Sequence, residues 1–224
     1  RGFRIIRKIE REYPDLTDAK LPIGIVEYFS GLNPGFVQWT AKLIGLKATR
    51  QAGLEKIELA ASDGEFSNVE AKKIITFLSL WVENDIKTAL NYSDELHRDF
   101  PKNYFFTIMY LESLIKSGEK ERTLNLFSEL ERELEFLTPI QNKWYKSYLD
   151  YEKSQYYFHN SDFDSALYYV DLSINEYHAE LDIILSHALL LKGKLHDLKH
   201  DREKAILSYK KCVKLDNYSS AADE

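Results

Sequence analysis

One spacing recurs along the chain and restricts its fold more than any other property does. In NDIKTALNYSDELHRDFPKN a small residue, Ala89, is followed by Ser93, Leu96 and Pro101 at steps of 4, 3 and 5. SDFDSALYYVDLSINEYH repeats the steps with Ala166, Val170, Ser173 and His178, and EKAILSYKKCVKLDN with Ala205, Tyr209, Cys212 and Asn217. The chain opens on GFRIIRKIEREYP, where Gly2, Ile6, Ile9 and Pro14 keep the same order. Steps of four and three hold one face of a helix, so each set describes a buried stripe that begins at a small residue. The small residue admits a close neighbour and the last position stops the helix, which predicts the second helix of a helical hairpin. A hairpin cannot bury its stripe alone. Stacked hairpins can, and about three or more are needed for stability.

The rest of the chain agrees with an all-helical reading. Nine glycines and five prolines punctuate it, and apolar residues recur at three and four between them. Strand-type alternation is nearly absent, and Asp63-Gly64 falls between helical segments. Breaks are expected at Tyr13-Pro14, Gly31 to Gly35, Ser62 to Gly64, Phe100-Pro101, Ser117-Gly118, Thr138-Pro139 and Asn160 to Asp162, and the length of the chain fits twelve helices.

These residues resemble the tetratricopeptide repeat family. Ala89 to Thr123 gives that family's period of 34 residues, with Gly118 where the family places its inter-helix turn glycine. Gly193 to Asn217 looks like one repeat, with Gly193 as the helix-packing glycine. The later periods lengthen to 43 residues, Thr123 to Ala166, and 39, Ala166 to Ala205, notably through the run from Pro139 to His159. The segment from Leu21 to Phe66 is similar to bacterial tetratricopeptide-like proteins and to the tetratricopeptide repeat protein 39 family. There a hairpin is interrupted by an inserted apolar helix and resumes with Gly-Leu-x-x-Leu, here Gly53-Leu54 with Ile57 in place of the second Leu. The resemblance implies a single α-α superhelix over residues 1–224, of about five hairpins, and brings no enzymatic activity with it.

Composition removes several classes of function. Thirty Lys and Arg against thirty-six Asp and Glu leave a net charge of −6, and no stretch gathers enough basic residues to follow a phosphate backbone. Nucleic acid is not an expected partner. The longest apolar runs, such as Ile74 to Val82, reach about half the ~20 residues that span a bilayer. The lone cysteine, Cys212, excludes an internal disulfide framework and fits a cytoplasmic or an exported compartment equally. The first residue is Arg1 rather than Met, which predicts that residues precede it.

Catalytic chemistry finds little support. HDLKH, residues 196 to 200, nearly spells the zinc-protease motif H-E-x-x-H. Such a site requires both histidines on a continuous helix, a glutamate base and a third ligand downstream. Here Asp197 replaces the glutamate, no histidine follows His200, and the register places the helix end at this point. A zinc hydrolase is therefore a remote alternative, and no metal or cofactor is expected. His159, His178 and His187 are scattered, no nucleophile elbow or phosphate loop occurs, and Glu129, Glu131 and Glu133 read as a solvated face.

Binding is the remaining class. In a stack of hairpins the first helices line the concave face, and the register places Ile74, Trp81, Phe105, Ile108, Glu112, Lys116, Tyr148, Tyr151, Gln155, Phe158, His159, His187, Leu190 and Lys194 on it. Aromatic residues suit a partner protein or peptide because they bury large area at low entropic cost. Core packing between long helices competes for the same residues. The clamp by which some tetratricopeptide domains grip a chaperone's terminal carboxylate is disfavoured, because its positions hold Ile74 and Leu78, then Ile108 and Glu112. The inserted segment, residues 36 to 46, carries Phe36, Trp39 and Leu43 on an apolar face with Lys42, Lys47 and Arg50 beside it. It is expected to plug the groove, to meet a partner or to lie on a membrane surface. The reading is a non-enzymatic protein-binding scaffold, with a domain for small apolar ligands or lipids as the alternative. The opening helix, Gly2 to Tyr13, lacks a first-helix mate and is expected to expose an apolar strip.

Overall fold

Helix caps written into the sequence delimit the elements. The computed structural model describes residues 2–32, 49–178, 182–215, 217 and 219–222. Its α-helices are α1 Gly2–Glu12, α2 Lys20–Leu32, α3 Arg50–Asp63, α4 Asn68–Trp81, α5 Ile86–Asp99, α6 Tyr104–Ser117, α7 Lys120–Leu134, α8 Pro139–His159, α9 Phe163–Asn175, α10 Ile183–Leu198 and α11 Arg202–Lys214. No strand occurs among the described residues. The twelfth expected helix, with Phe36, Trp39 and Leu43, lies outside them. The chain divides into two compact units, Arg1–Thr76 and Phe77–Glu224, with the boundary inside α4.

The second unit is a run of helices packed in chain order: α5 on α6, α6 on α7, α8 on α9, α9 on α10 and α10 on α11. The first helices α6, α8 and α10 also touch one another in sequence. This is the all-α, tetratricopeptide-like architecture that the spacing predicts. Ala89, Ala166 and Ala205 are fully buried, as are Thr123, Ser93, Val170 and Ser173. At two of these stripes a polar tie joins the helices. Ser154 of α8 donates to the Ala166 carbonyl at 2.8 Å, and Ser93 of α5 to Ser113 of α6 at 3.1 Å. A Cβ built on Gly193 would meet the Tyr209 ring at 2.2 Å, so α10 accepts α11 only where a side chain is missing.

A second repeat, local to the turns, lies beneath the spacing. Each first helix ends on a residue with positive φ, at Asn84 (55°), Gly118 (82°), Ser161 (62°) and His200 (61°). An acidic residue follows at once, and the small residue comes four later: Asp85 and Ala89, Glu119 and Thr123, Asp162 and Ala166, Asp201 and Ala205. The three aspartates cap the next helix by accepting from the backbone N–H three residues on, at 3.2, 3.1 and 3.3 Å. At the last three turns the acidic residue's own N–H reaches back five residues, to Leu114, Tyr157 and His196 at 3.0, 3.0 and 2.9 Å. That bond closes a left-handed helix terminus. The long run after Pro139 starts differently, on a capping box in which Thr138 and Gln141 bond reciprocally.

The first unit is held by closer contacts. A Cβ on Gly53 of α3 would lie 2.5 Å from the Tyr28 backbone nitrogen of α2, and one on Gly24 would lie 2.8 Å from the Gly53 carbonyl oxygen. Backbones therefore touch along α2 and α3, and Ile57 is fully buried beside them. Lys56 and Glu27 form a salt bridge there whose carboxylate side is 3% exposed. Asp18 joins the preceding turn to α4 by accepting from the Phe66 and Ser67 N–H groups at 2.9 and 2.7 Å. α1 has no buried residue, and its Ile5 is 55% exposed, while Phe3 and Ile6 rest against Ile23. Among the described residues nothing lies within 4 Å of a Cβ on Gly2, so the close approach expected there does not form.

Candidate functional site

The row of first helices in the second unit converges on the C-terminal end of α4. Helical periodicity places Trp81 there, and packing aims its indole at α6. Trp81 Nε1 donates to Glu112 Oε2 at 2.6 Å, and Lys116, one turn further along α6, sets its Nζ 2.8 Å from Glu112 Oε1 and 3.0 Å from the Leu80 carbonyl. The freed carbonyl of Trp81, at a helix end, faces His187 Nε2 of α10 at 3.1 Å and accepts from Ser220 Oγ at 3.3 Å.

A second carboxyl group lies under this ion pair. Glu152 of α8 is fully buried, and no N–H or O–H group of the described residues donates to either of its oxygens. Burial first, and then the neighbouring Glu112 carboxylate, push its pKa well above the usual carboxylate range. Burial thus favours the protonated form of Glu152 beside the Glu112–Lys116 contact. The groove expected to be aromatic and apolar has a charged, hydrogen-bonded floor. Asp150, Tyr151 and Glu152 stand together in the sequence, and a signal was present: Glu152 falls four residues after Tyr148 and three before Gln155, on the buried stripe itself. A surface acid would occupy the other face.

Above that floor opens a cavity of about 260 Å³, lined by Asn84, Ile86, Lys116, Gln155, Phe158, His159, His187, Leu190, Leu191, Lys194 and Ser220. Seven of the residues that the register places on the concave face meet here, namely Lys116, Gln155, Phe158, His159, His187, Leu190 and Lys194. Gln155 donates its amide to the Tyr151 hydroxyl at 2.5 Å. Trp81, Ile108, Glu112 and Tyr151 are fully buried and act as the floor or the core instead of the surface. Phe105 and Tyr148 stand away from the cavity, ring to ring at 6.5 Å, and Tyr148 goes on to Tyr177 at 6.2 Å. Ile74 belongs to the first unit and is half-buried. Asn84, Ile86, Leu191 and Ser220 were not expected: two of them sit in turns, where helical register predicts nothing.

His159 is one of the ionisable groups that line the cavity. Burial, and then the Lys116 ammonium, hold its imidazole below the ordinary histidine value. HDLKH plays a structural part. α10 stops at Leu198, His200 lies beyond it in the left-handed turn, and the two histidines do not share a helix. Asp197 accepts from Arg202 at 2.7 Å and from the Tyr209 hydroxyl at 2.8 Å. That hydrogen bond and, above all, burial lift the Tyr209 phenol to about 12.

Comparison with known proteins fixes the fold class and little else. No protein-family model and no curated protein matches the sequence. A solved structure does match: PilW, a widely conserved type IV pilus biogenesis factor, with a TM-score of 0.53 at 14% identity, over 93% of this chain and 81% of that one. Identity that low speaks for the fold alone.

Proposed function

We propose that this chain is a non-enzymatic helical-repeat scaffold that binds a protein or peptide partner along the first-helix row of its second unit. The carrying observation is the cavity at the end of that row, where Gln155, Phe158, His187 and Lys194 converge from two helices above a hydrogen-bonded floor. A rigid, preorganised floor lowers the ordering cost of binding, and half-buried aromatic and amide groups at its rim suit a peptide better than a reacting substrate. The likeness to a pilus biogenesis factor fits a scaffold, and the tetratricopeptide repeat protein 39 family remains the sequence resemblance we favour for residues 21 to 66, within one repeat domain. The partner class is protein, with no role for nucleic acid. Among the described residues no helix is long and apolar enough to cross a membrane.

The test is site-specific photocrosslinking in cells that produce the protein. A photoreactive phenylalanine analogue at Phe158 is expected to give one discrete protein adduct, and the same group at Tyr168, 60% exposed on α9, is expected to give none. Equal adducts from both positions, or none from Phe158, would reject the reading.

A further inference from the structure

Two apolar surfaces of the second unit carry opposite charge. One is at the start of α8. Tyr104, the first residue of α6, meets Tyr145 ring to ring at 4.6 Å, and Lys146 pairs with Glu176, just past the end of α9, at 2.8 Å. Residues 139–144 therefore run beyond both neighbours. The stripe that is buried at Ser147, Tyr148 and Tyr151 comes out exposed at Ile140 and Trp144, and Phe136, in the turn before them, is 86% exposed. Acids outnumber bases here: from 129 to 143 the chain holds Glu129, Glu131, Glu133 and Glu135 against Arg132 and Lys143. The crowding is felt at Glu133, whose carboxyl is pushed up by burial and then by Glu129.

The other surface is on α11. Ile206 and Val213 are exposed there, and Val213 also lines a cavity of about 290 Å³, with Leu190, Lys194, Tyr209, Cys212, Ala221 and Ala222. Arg202 and Lys204 are held by Asp197 and Asp201, whereas Lys210, Lys211 and Lys214 make no ion pair among the described residues, and Glu203 is the helix's one acid. We propose that the two surfaces fit each other between copies of this chain, with Phe136 of one copy entering the α10–α11 cavity of the next and Glu135 facing Lys210 and Lys214. Burying so exposed a ring in an open apolar cavity removes both from water. Charge selects the pairing. A contact of α11 with its own copy would bring lysines together, and one between two Phe136 surfaces would bring glutamates together. Contact between unlike surfaces leaves one of each free, so association continues as a series or closes as a ring. The proposal does not rest on the scaffold reading, because Phe158 belongs to neither surface.

Sedimentation velocity of the full chain, up to millimolar concentration, is expected to show species that grow with concentration and recede as salt is added. Phe136→Glu and Val213→Glu alter exposed side chains, so both should keep the parent's helical circular dichroism, and each should weaken association by about tenfold or more. Mixed in equal amounts, the two variants should associate again as a dimer that grows no further, because each keeps the surface that the other lacks. A parent chain that is monomeric at every concentration overturns the proposal, as does a mixture that stays monomeric. Weakening by Phe136→Glu with Val213→Glu unaffected would mean a symmetric contact and overturn the unlike pairing. Association that salt strengthens would remove the charge from it. A monomeric chain that floats with phosphatidylglycerol vesicles, and no longer does so as Val213→Glu, would give α11 a lipid surface in place of a second copy. Neither variant should change the Phe158 adduct, so this proposal and the scaffold reading fail separately.

Discussion

The two units solve the same packing problem with different chemistry. In the first, α2 and α3 approach until backbone meets backbone at Gly24 and Gly53, and the buried acid Glu27 is matched by its own cation, Lys56. In the second, alanines and Thr123 set a wider separation, serines bridge it, and two buried acids share Lys116. The first arrangement depends on what is missing from a residue. The second depends on protons and on a turn used four times. Contact through bare backbone tolerates no added atom, whereas contact through side chains can yield by rotation.

The largest effect should come from the first unit's ion pair. Lys56→Met takes one charged partner from Glu27 at a nearly closed site, and should lower stability in urea unfolding by up to about 3–5 kcal/mol. A loss under about 1 kcal/mol would mean that the salt bridge contributes no more than an exposed one. Next, Gly53→Ala should cost about 3 kcal/mol, because its new methyl meets Tyr28 backbone, while Gly193→Ala should cost less than half of that as the Tyr209 ring swings aside. In the same Gly193→Ala protein the Tyr209 phenol should titrate below about 12, its bond to Asp197 being lost. Equal costs at the two glycines would erase the contrast between the units.

Glu152→Gln should act in the opposite direction. A buried acid with a raised pKa contributes stability that is complete below its unfolded value, and that stability is lost as pH rises through the folded value. Glutamine does not titrate, so the variant should match the parent near pH 4 and gain on it toward pH 8, by about 1.4 kcal/mol for each unit of elevation. A constant difference across that range would place the proton elsewhere. The smallest change is at a turn: His200→Gly removes a side chain from a left-handed position and should stabilise by about 1 kcal/mol. A loss instead would give the imidazole a role that its backbone does not show.

Sequence reading reached the second unit more fully than the first. The 4, 3 and 5 spacing finds Ala89, Ala166 and Ala205 because these positions report on helix faces, and faces are periodic. It also matched Gly2, where none of the described residues arrives within 4 Å, since spacing alone carries no information about what lies opposite. Asn84 escaped notice, and Ser161 and His200 were placed at helix breaks without their left-handed conformation, for a related reason. Gly118 announces a left-handed turn by its lack of a Cβ, and the other three occupy the same conformation with ordinary side chains. HDLKH looked like chemistry because histidine is rare, yet the aspartate four before an alanine, at 85, 162 and 201, is what gives its place. In the cavity, the stripe named Gln155, Phe158, His187 and Lys194, but Glu152 was passed over because acids are ordinarily assigned to water.

The Trp81 carbonyl has a wider consequence. It accepts from His187 and Ser220, 106 and 139 residues further along the chain. An array held only by adjacent pairs can fray from either end, one pair at a time. Joining the start of the second unit to α10 and the final turn converts such a series into a clasp, so that the end made last must arrive before the beginning is locked. Loss of the final turn should therefore be felt as faster amide exchange around Trp81, at the opposite end of the same unit.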